Sequence, residues 1–71
     1  MNTEDFGSKI PENLSTIRKQ QRYTQKEVAD MAGLNQNYYA KVERGDGIPS
    51  IKTIYKIAKA LNVTAGDILG F

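Results

Sequence analysis

The side chains best suited to specific hydrogen bonding stand in one short run, Asn35-Gln36-Asn37-Tyr38-Tyr39. An amide side chain can donate and accept hydrogen bonds together, whereas Asn and Tyr rank low as helix formers. The chain has no cysteine and no histidine, which excludes disulfides, thiolate metal sites and the commonest general base at neutral pH. The sequence also shows no convergent acid pair and no activated nucleophile. We therefore expect neither an enzyme nor a metal or cofactor site.

Length and charge narrow the class of protein further. Seventy-one residues make one small domain with a thin core, because such a chain hides only roughly 60% of the surface that its unfolded form exposes. The net charge of +2 is compatible with a nucleic-acid partner but does not establish one. No apolar run approaches the ~20 residues that cross a bilayer, and the first residues lack the order of a signal peptide. We expect a cytoplasmic protein that does not enter a membrane.

Apolar residues recur at helical spacing and predict an all-α fold of five short helices. Residues 1–8 carry no periodic pattern and are predicted to be a flexible arm, so that the domain spans residues 9–71. The first helix is predicted from about residue 10 to Gln21. Pro11 would then lie in its first turn, where a missing N–H costs nothing.

Capping residues bound the next two predicted helices. Thr24 is followed three residues later by a glutamate, which is the pattern of a capping box, and Gly33 suits a left-handed helix end. These signals predict a second helix over Gln25–Ala32. Asn35 is a favoured N-cap and predicts a third helix over Gln36–Arg44.

A fourth and a fifth helix complete the chain. Ser50 is the predicted N-cap of the fourth helix, and Asn62 resembles its C-terminal stop. The predicted inner stripe of the fourth helix consists of Ile51, Ile54, Tyr55, Ala58 and Leu61. Thr64 and Asp67 have capping-box spacing and predict the start of a short final helix.

The stretch "TQKEVADMAGLNQNYYAKVERGDGIPSIKTIYKIAKALNV" resembles the Cro/CI-type (XRE-family) helix-turn-helix transcriptional regulators, and the likeness covers about residues 10–69. It departs from the family pattern at Pro11 and at Tyr39. The resemblance implies a five-helix, lambda-repressor-like DNA-binding domain in which helices 2 and 3 form the helix-turn-helix. It also implies a sequence-specific regulator of the repressor or controller type that binds double-stranded DNA. The alternative is an antitoxin or another protein-interaction module with the same fold, which would have a protein partner.

The resemblance assigns base reading to the third helix. Gln36 and Asn37, in its first turn, are the expected base contacts, because both amides can pair with the N6/N7 edge of adenine. Lys41 lies close enough to share their face and could reach guanine or a phosphate. The alternative interpretation is that all three are ordinary polar surface residues.

A second set of residues is expected along the DNA backbone. Two of them, Thr24 and Asn35, are first of all helix caps. The expected backbone contacts are Thr24, Gln25, Asn35, Tyr38, Arg44, Ile48, Ser50 and Lys52. Tyr39 is expected in the core, with its hydroxyl reaching the surface.

Two further expectations concern architecture. The resemblance implies a partly buried ion pair between Arg18 and Glu43, which would join the first helix to the third. It also implies a homodimer on a two-fold symmetric site, with contacts from Ile68, Leu69 and Phe71. The alternative for these three apolar residues is that they close the core.

Overall fold

The computed structural model describes residues 3–70, with side chains from residue 9 onward, and this part of the chain is entirely helical apart from its turns. Five helices follow in order: α1 (Thr3–Gln20), α2 (Gln25–Ala32), α3 (Gln36–Arg44), α4 (Ile51–Leu61) and α5 (Ala65–Leu69). The predicted all-α fold is therefore confirmed, and so are the predicted bounds of α2 and α3. None of these helices is long and apolar enough to cross a membrane.

The first helix differs most from expectation. It begins at Thr3, well before the predicted start near residue 10, so the prediction of Pro11 in the first turn is wrong. Proline cannot donate to the carbonyl four residues earlier, and its ring crowds that carbonyl. Here the ring packs beside Gly45, where an added Cβ would lie 3.3 Å from the Pro11 Cγ atom. A tertiary contact thus accompanies the backbone hydrogen bond that is missing at Pro11. Residues 3–8 belong to the same helix.

Local hydrogen bonds define the ends of the shorter helices. The Thr24 hydroxyl accepts from the N–H of Glu27, and the Glu27 carboxylate accepts from the N–H of Thr24, which completes the predicted capping box. Gly33 closes α2 in the left-handed conformation (φ 69°) that glycine adopts without strain. Thr64 and Asp67 form the second predicted capping box at the start of α5.

One hydrophobic core joins all five helices. α2 packs on α3 and α4, while α1 packs on α3 and α5. The buried apolar residues are Ile10, Leu14, Val28, Ala29, Ala32, Tyr39, Val42, Ile54, Ile57, Ala58, Leu61 and Ile68. Because α1 and α2 both contact α3, the backbone of α3 is braced from its inner side and its outer face is left free.

The predicted inner stripe of α4 is partly wrong. Ile51 is 76% exposed and Tyr55 is 62% exposed, whereas Ile57 and Thr53 are buried. Tyr55 follows Ile54 by about 100° around the helix, which places it at the edge of the buried stripe. Ile51 is the first residue of α4 and lies at the end of the packed region. The partners of α4 cover a face rotated from the predicted one.

Candidate nucleic-acid interface

A turn of only three residues, Gly33 to Asn35, joins α2 to α3. The N–H of Leu34 donates to the Ala29 carbonyl over 2.8 Å, and Leu34 packs against the core. The Asn35 side chain then accepts from the backbone N–H groups of Asn37 (2.8 Å) and Tyr38 (3.2 Å). These contacts set the start and direction of α3, so the Asn35 amide oxygen is already engaged as a cap.

The three expected base contacts lie together on the outer face of α3. Gln36, Asn37 and Lys41 are all exposed. Among the described residues, none of these side chains makes a hydrogen bond to another part of the protein, so their donors and acceptors face solvent. Exposed amides on a braced helix can form paired hydrogen bonds with the edge of a base.

The side chains of Tyr38 and Tyr39 have different environments. The Tyr38 ring is half exposed, and its hydroxyl lies 3.2 Å from the Thr53 hydroxyl, so α3 is tied to the first turn of α4. Tyr39 is fully buried, as expected, but its hydroxyl does not reach the surface and has no hydrogen-bond partner among the described residues. Burial raises the pKa of the Tyr39 phenol, and the nearby Glu43 carboxylate raises it further. The expectation of a surface hydroxyl is therefore wrong: the phenol is buried close to the Arg18–Glu43 pair.

The structure brings Arg18 of α1 and Glu43 of α3 together where the two helices meet. The Arg18 Nη2 atom lies 2.6 Å from Glu43 Oε1, and Nε lies 2.9 Å from Oε2. Their side chains are only 13% and 6% exposed. Arg18 also donates to the Tyr23 carbonyl, and the Gln25 amide lies 3.4 Å from Glu43 Oε1. Gln25, an expected DNA-backbone contact, thus also links α2 to this pair.

The other expected backbone contacts lie around the rim of α3. Thr24, Asn35 and Ser50 occupy helix-cap positions, with the Ser50 hydroxyl accepting from the Thr53 N–H over 3.1 Å. Ile48 and Lys52 are exposed on the α3–α4 loop and on the first turn of α4. These residues lie at the starts of α2, α3 and α4 and in the loop between α3 and α4.

Arg44 is exposed at the end of α3, but it is not free. Its Nη2 and Nε atoms lie 3.0 and 3.3 Å from one carboxylate oxygen of Asp46. Asp46 lines a shallow groove between α3 and the following loop, together with Tyr38, Lys41 and Ile48. Asp46 therefore borders the same groove as Lys41, one of the expected base contacts.

The expected dimer residues have different environments. Ile68 has no exposed surface and belongs to the core. Leu69 is half buried against the core, and Phe71 lies outside the described residues. Among the described residues of this set, only Leu69 has solvent-exposed surface that could contact a second copy. Within the described chain, no group of three acidic side chains could hold a metal ion.

Thr53 is the residue that sequence reasoning missed. It is the one buried polar residue among those described, and it joins the hydroxyls of Tyr38 and Ser50. Thr53 lies three residues after the Ser50 cap, and this spacing predicts the local contact between the two residues. Its link to Tyr38 crosses fifteen residues of sequence and leaves no pattern in the chain.

Comparisons with known proteins agree with this geometry. A family model described as helix-turn-helix matches residues 14–68. The chain is 37% identical over 62 residues to the cryptic phage CTXphi transcriptional repressor RstR of Vibrio cholerae; the aligned part covers 87% of this chain and 55% of RstR. It is 33% identical over 60 residues to y4dJ, an uncharacterized HTH-type transcriptional regulator of Sinorhizobium fredii, with 84% and 78% of the two chains covered.

A solved structure extends the likeness to three dimensions. The restriction-modification controller protein C.AhdI from Aeromonas hydrophila superposes with a TM-score of 0.82 at 30% sequence identity. The match covers 84% of this chain and 91% of C.AhdI. The chain thus spans nearly all of the controller protein but about half the length of RstR.

Proposed function

The chain belongs to the Cro/CI-type (XRE) family of helix-turn-helix transcriptional regulators, and we propose that it binds double-stranded DNA sequence-specifically through α3. The observation that carries the proposal is the placement of Gln36, Asn37 and Lys41. All three are exposed on one side of α3, whose inner side is held by the core. Such a helix can enter the major groove, where each base pair presents a distinct set of donors and acceptors.

Phosphate contacts would complete the complex. Arg44 at the end of α3 and Lys52 in the first turn of α4 supply positive charge. The start of α2 presents backbone N–H groups beside Gln25. Helix N-termini favour phosphate through these N–H groups and through the helix dipole. Such contacts fix the register of the protein on DNA and make its affinity salt-dependent, while base contacts supply specificity.

We propose a homodimer on a two-fold symmetric site, because one recognition helix reads few base pairs. Two half-sites would lie about one helical turn apart, roughly 34–36 Å. Leu69 on the last helix is half buried and keeps some free surface. Ile51 and Tyr55 form a second apolar surface at the start of α4.

Selection of bound sequences from a random DNA library tests this function. We expect enrichment of one motif with two inverted half-sites at the predicted spacing. An enriched single half-site would support DNA reading but contradict the dimer. Failure of the folded protein to enrich any sequence would contradict specific DNA binding.

The second candidate is a protein-interaction module, such as an antitoxin that neutralises a toxin. The exposed apolar residues Ile48, Ile51 and Tyr55 favour it, since large apolar side chains on a surface often mark a partner site. An antitoxin of this family would bind both DNA and protein. A stable complex with one defined protein, retained through gel filtration, would support this function. The matched relatives are named as repressors and regulators, and we propose no enzymatic activity.

A further inference from the structure

We infer that Asp46 is an internal competitor of the DNA backbone for Arg44. The inference rests on the proposed DNA-binding function, and it concerns how tightly the same surface binds phosphate. It starts from the contact between the two side chains: both the Nε and the Nη2 atoms of Arg44 point to Asp46 Oδ2, at 3.3 and 3.0 Å.

The edge of Arg44 that Asp46 occupies is chemically important. The Nε and Nη2 groups of arginine form a planar fork, which binds the oxygens of a carboxylate or a phosphate. A carboxylate on this fork therefore stands where a DNA phosphate would bind. Arg44 cannot offer the same fork to DNA until the contact with Asp46 is broken.

The backbone holds Asp46 in place for this contact. Its N–H donates to the Lys41 carbonyl over 3.0 Å, which folds the chain back over the last turn of α3. The flanking residues Gly45 and Gly47 have φ values of 85° and 98°, a region that other residues rarely adopt. The carboxylate is thus directed by the loop backbone and not by burial.

DNA could reach this ion pair directly. Arg44 and Asp46 have side chains that are 60% and 58% exposed. Asp46 also lines the groove that contains Lys41 and Tyr38, so the ion pair borders the proposed DNA-binding face.

This arrangement lowers affinity for every DNA sequence. Phosphate contacts carry no sequence information, so Asp46 weakens cognate and random duplexes alike. The competing carboxylate would limit the time the protein spends on non-cognate DNA while leaving the base contacts of α3 unchanged.

The test compares D46N with D30N. Both variants raise the net charge by one and both remove the acid of an exposed ion pair, since Asp30 pairs with Lys26 over 2.9 Å on α2. Binding is measured by fluorescence anisotropy over a range of salt concentrations. The two probes are a short random-sequence duplex and the best duplex from the library selection.

We expect D46N to bind both duplexes roughly two- to fivefold more tightly than D30N does, the range that corresponds to an exposed ion pair. The slope of log K against log salt should steepen by up to about 0.9, the value for one further phosphate contact. In an R44A background, D46N should give no gain beyond that of D30N. An equal gain for D46N and D30N, or a D46N gain that persists in R44A, would overturn the inference.

Failure of the proposed function has a different signature. If the folded wild-type protein and D46N bind neither duplex at low salt, DNA binding itself is wrong and the inference falls with it. If the wild-type protein binds DNA and D46N equals D30N, only the role of Asp46 is wrong. Circular dichroism of each variant confirms that the helices remain folded.

Discussion

Glu43 lies in the last turn of a helix that we propose faces DNA, where neither the helix dipole nor a phosphate stabilises an acid. Its stabilisation comes from Arg18, through two short hydrogen bonds in a mostly buried site. The pair joins α1 to the last turn of α3, the helix whose first turn carries Gln36 and Asn37. At the scale of single residues, an ion pair holds the proposed reading surface to the rest of the protein.

We predict that Arg18→Ala lowers the free energy of unfolding by about 3–5 kcal/mol, because it leaves Glu43 buried and unpaired. Urea denaturation monitored by circular dichroism measures this loss. Lys26→Ala is the control: it breaks the exposed pair with Asp30 and should cost less than about 1 kcal/mol. The double variant Arg18→Met/Glu43→Leu should recover most of the loss, since it removes both charges. Equal, small losses for Arg18→Ala and Lys26→Ala would contradict the role of the pair.

The same pair predicts a pH dependence of stability. Burial raises the pKa of Glu43, but the hydrogen bonds from Arg18 and its other neighbours, together with the Arg18 charge, outweigh burial and leave the pKa below its ordinary value of 4.5. Because the pKa of Glu43 is lower in the folded state, its carboxylate takes up a proton more readily in the unfolded state as the pH falls. The stabilisation is therefore complete above about pH 4.5 and is lost as the pH falls through the lowered pKa. Urea titrations at several pH values should show this loss in the wild type and a flatter profile in Glu43→Gln.

A further residue-scale prediction concerns base reading. Asn37→Ala should weaken binding to the selected duplex by ~1–3 kcal/mol, the cost of a lost bidentate base contact, with little change on random DNA. Lys52→Ala should weaken both duplexes and reduce the salt dependence, as expected for a phosphate contact. Anisotropy titrations separate the two cases. Equal losses on both duplexes for Asn37→Ala would exclude it as a base reader.

At the scale of elements, backbone strain occurs in the turns that follow helices. Within residues 3–70, two residues other than glycine have left-handed backbones: Arg22, between α1 and α2 (φ 62°), and Asn62, at the end of α4 (φ 57°). Asparagine tolerates this region, whereas a longer side chain such as arginine costs roughly 1–2 kcal/mol there. Arg22 is therefore the strained residue in the turn that joins α1 to α2.

We predict that Arg22→Gly stabilises the protein by about 0.5–1 kcal/mol, since relief of strain exceeds the added freedom of the unfolded chain. Thermal unfolding should show a higher midpoint. Asn62→Gly is the matched control, and we expect a smaller change because asparagine is already tolerated there. A lower midpoint for Arg22→Gly would indicate that the Arg22 side chain makes a stabilising contact.

At the scale of the whole molecule, the distribution of apolar surface bears on how two copies could meet. Ile68 is sealed in the core, whereas Ile51 and Tyr55 at the start of α4 face solvent. α4 begins next to α3, because the Tyr38 hydroxyl contacts Thr53. A second copy of the chain that covered the start of α4 would bury the exposed side chains of Ile51 and Tyr55.

We predict that Tyr55→Ser weakens self-association by about 1–2 kcal/mol, the cost of removing an aromatic contact at an interface, and that Leu69→Ser weakens it less. Analytical ultracentrifugation over a range of protein concentrations measures both. The opposite order would favour the final helix as the dimer surface. A wild-type protein that remains a monomer at high concentration would contradict the dimer.

The amino-acid sequence by itself determined the helix-turn-helix. The bounds of α2 and α3 and both capping boxes agree with the structure, because a cap is a hydrogen bond between residues two to four apart in the chain. Capping and helical periodicity are local effects, so they can be recognised without knowing what packs against the helix. The exposed position of Gln36 and Asn37 follows directly from where α3 begins.

Only the tertiary structure decided which surfaces are covered. Periodicity indicates that α4 has an apolar face, but the placement of α2 and α5 determines that Ile57 is buried while Ile51 and Tyr55 are exposed. The same reason applies to the buried Tyr39 hydroxyl and to a first helix that runs through Pro11. Burial and long-range contact depend on groups far apart in the chain, and no local pattern of residue types encodes their distance.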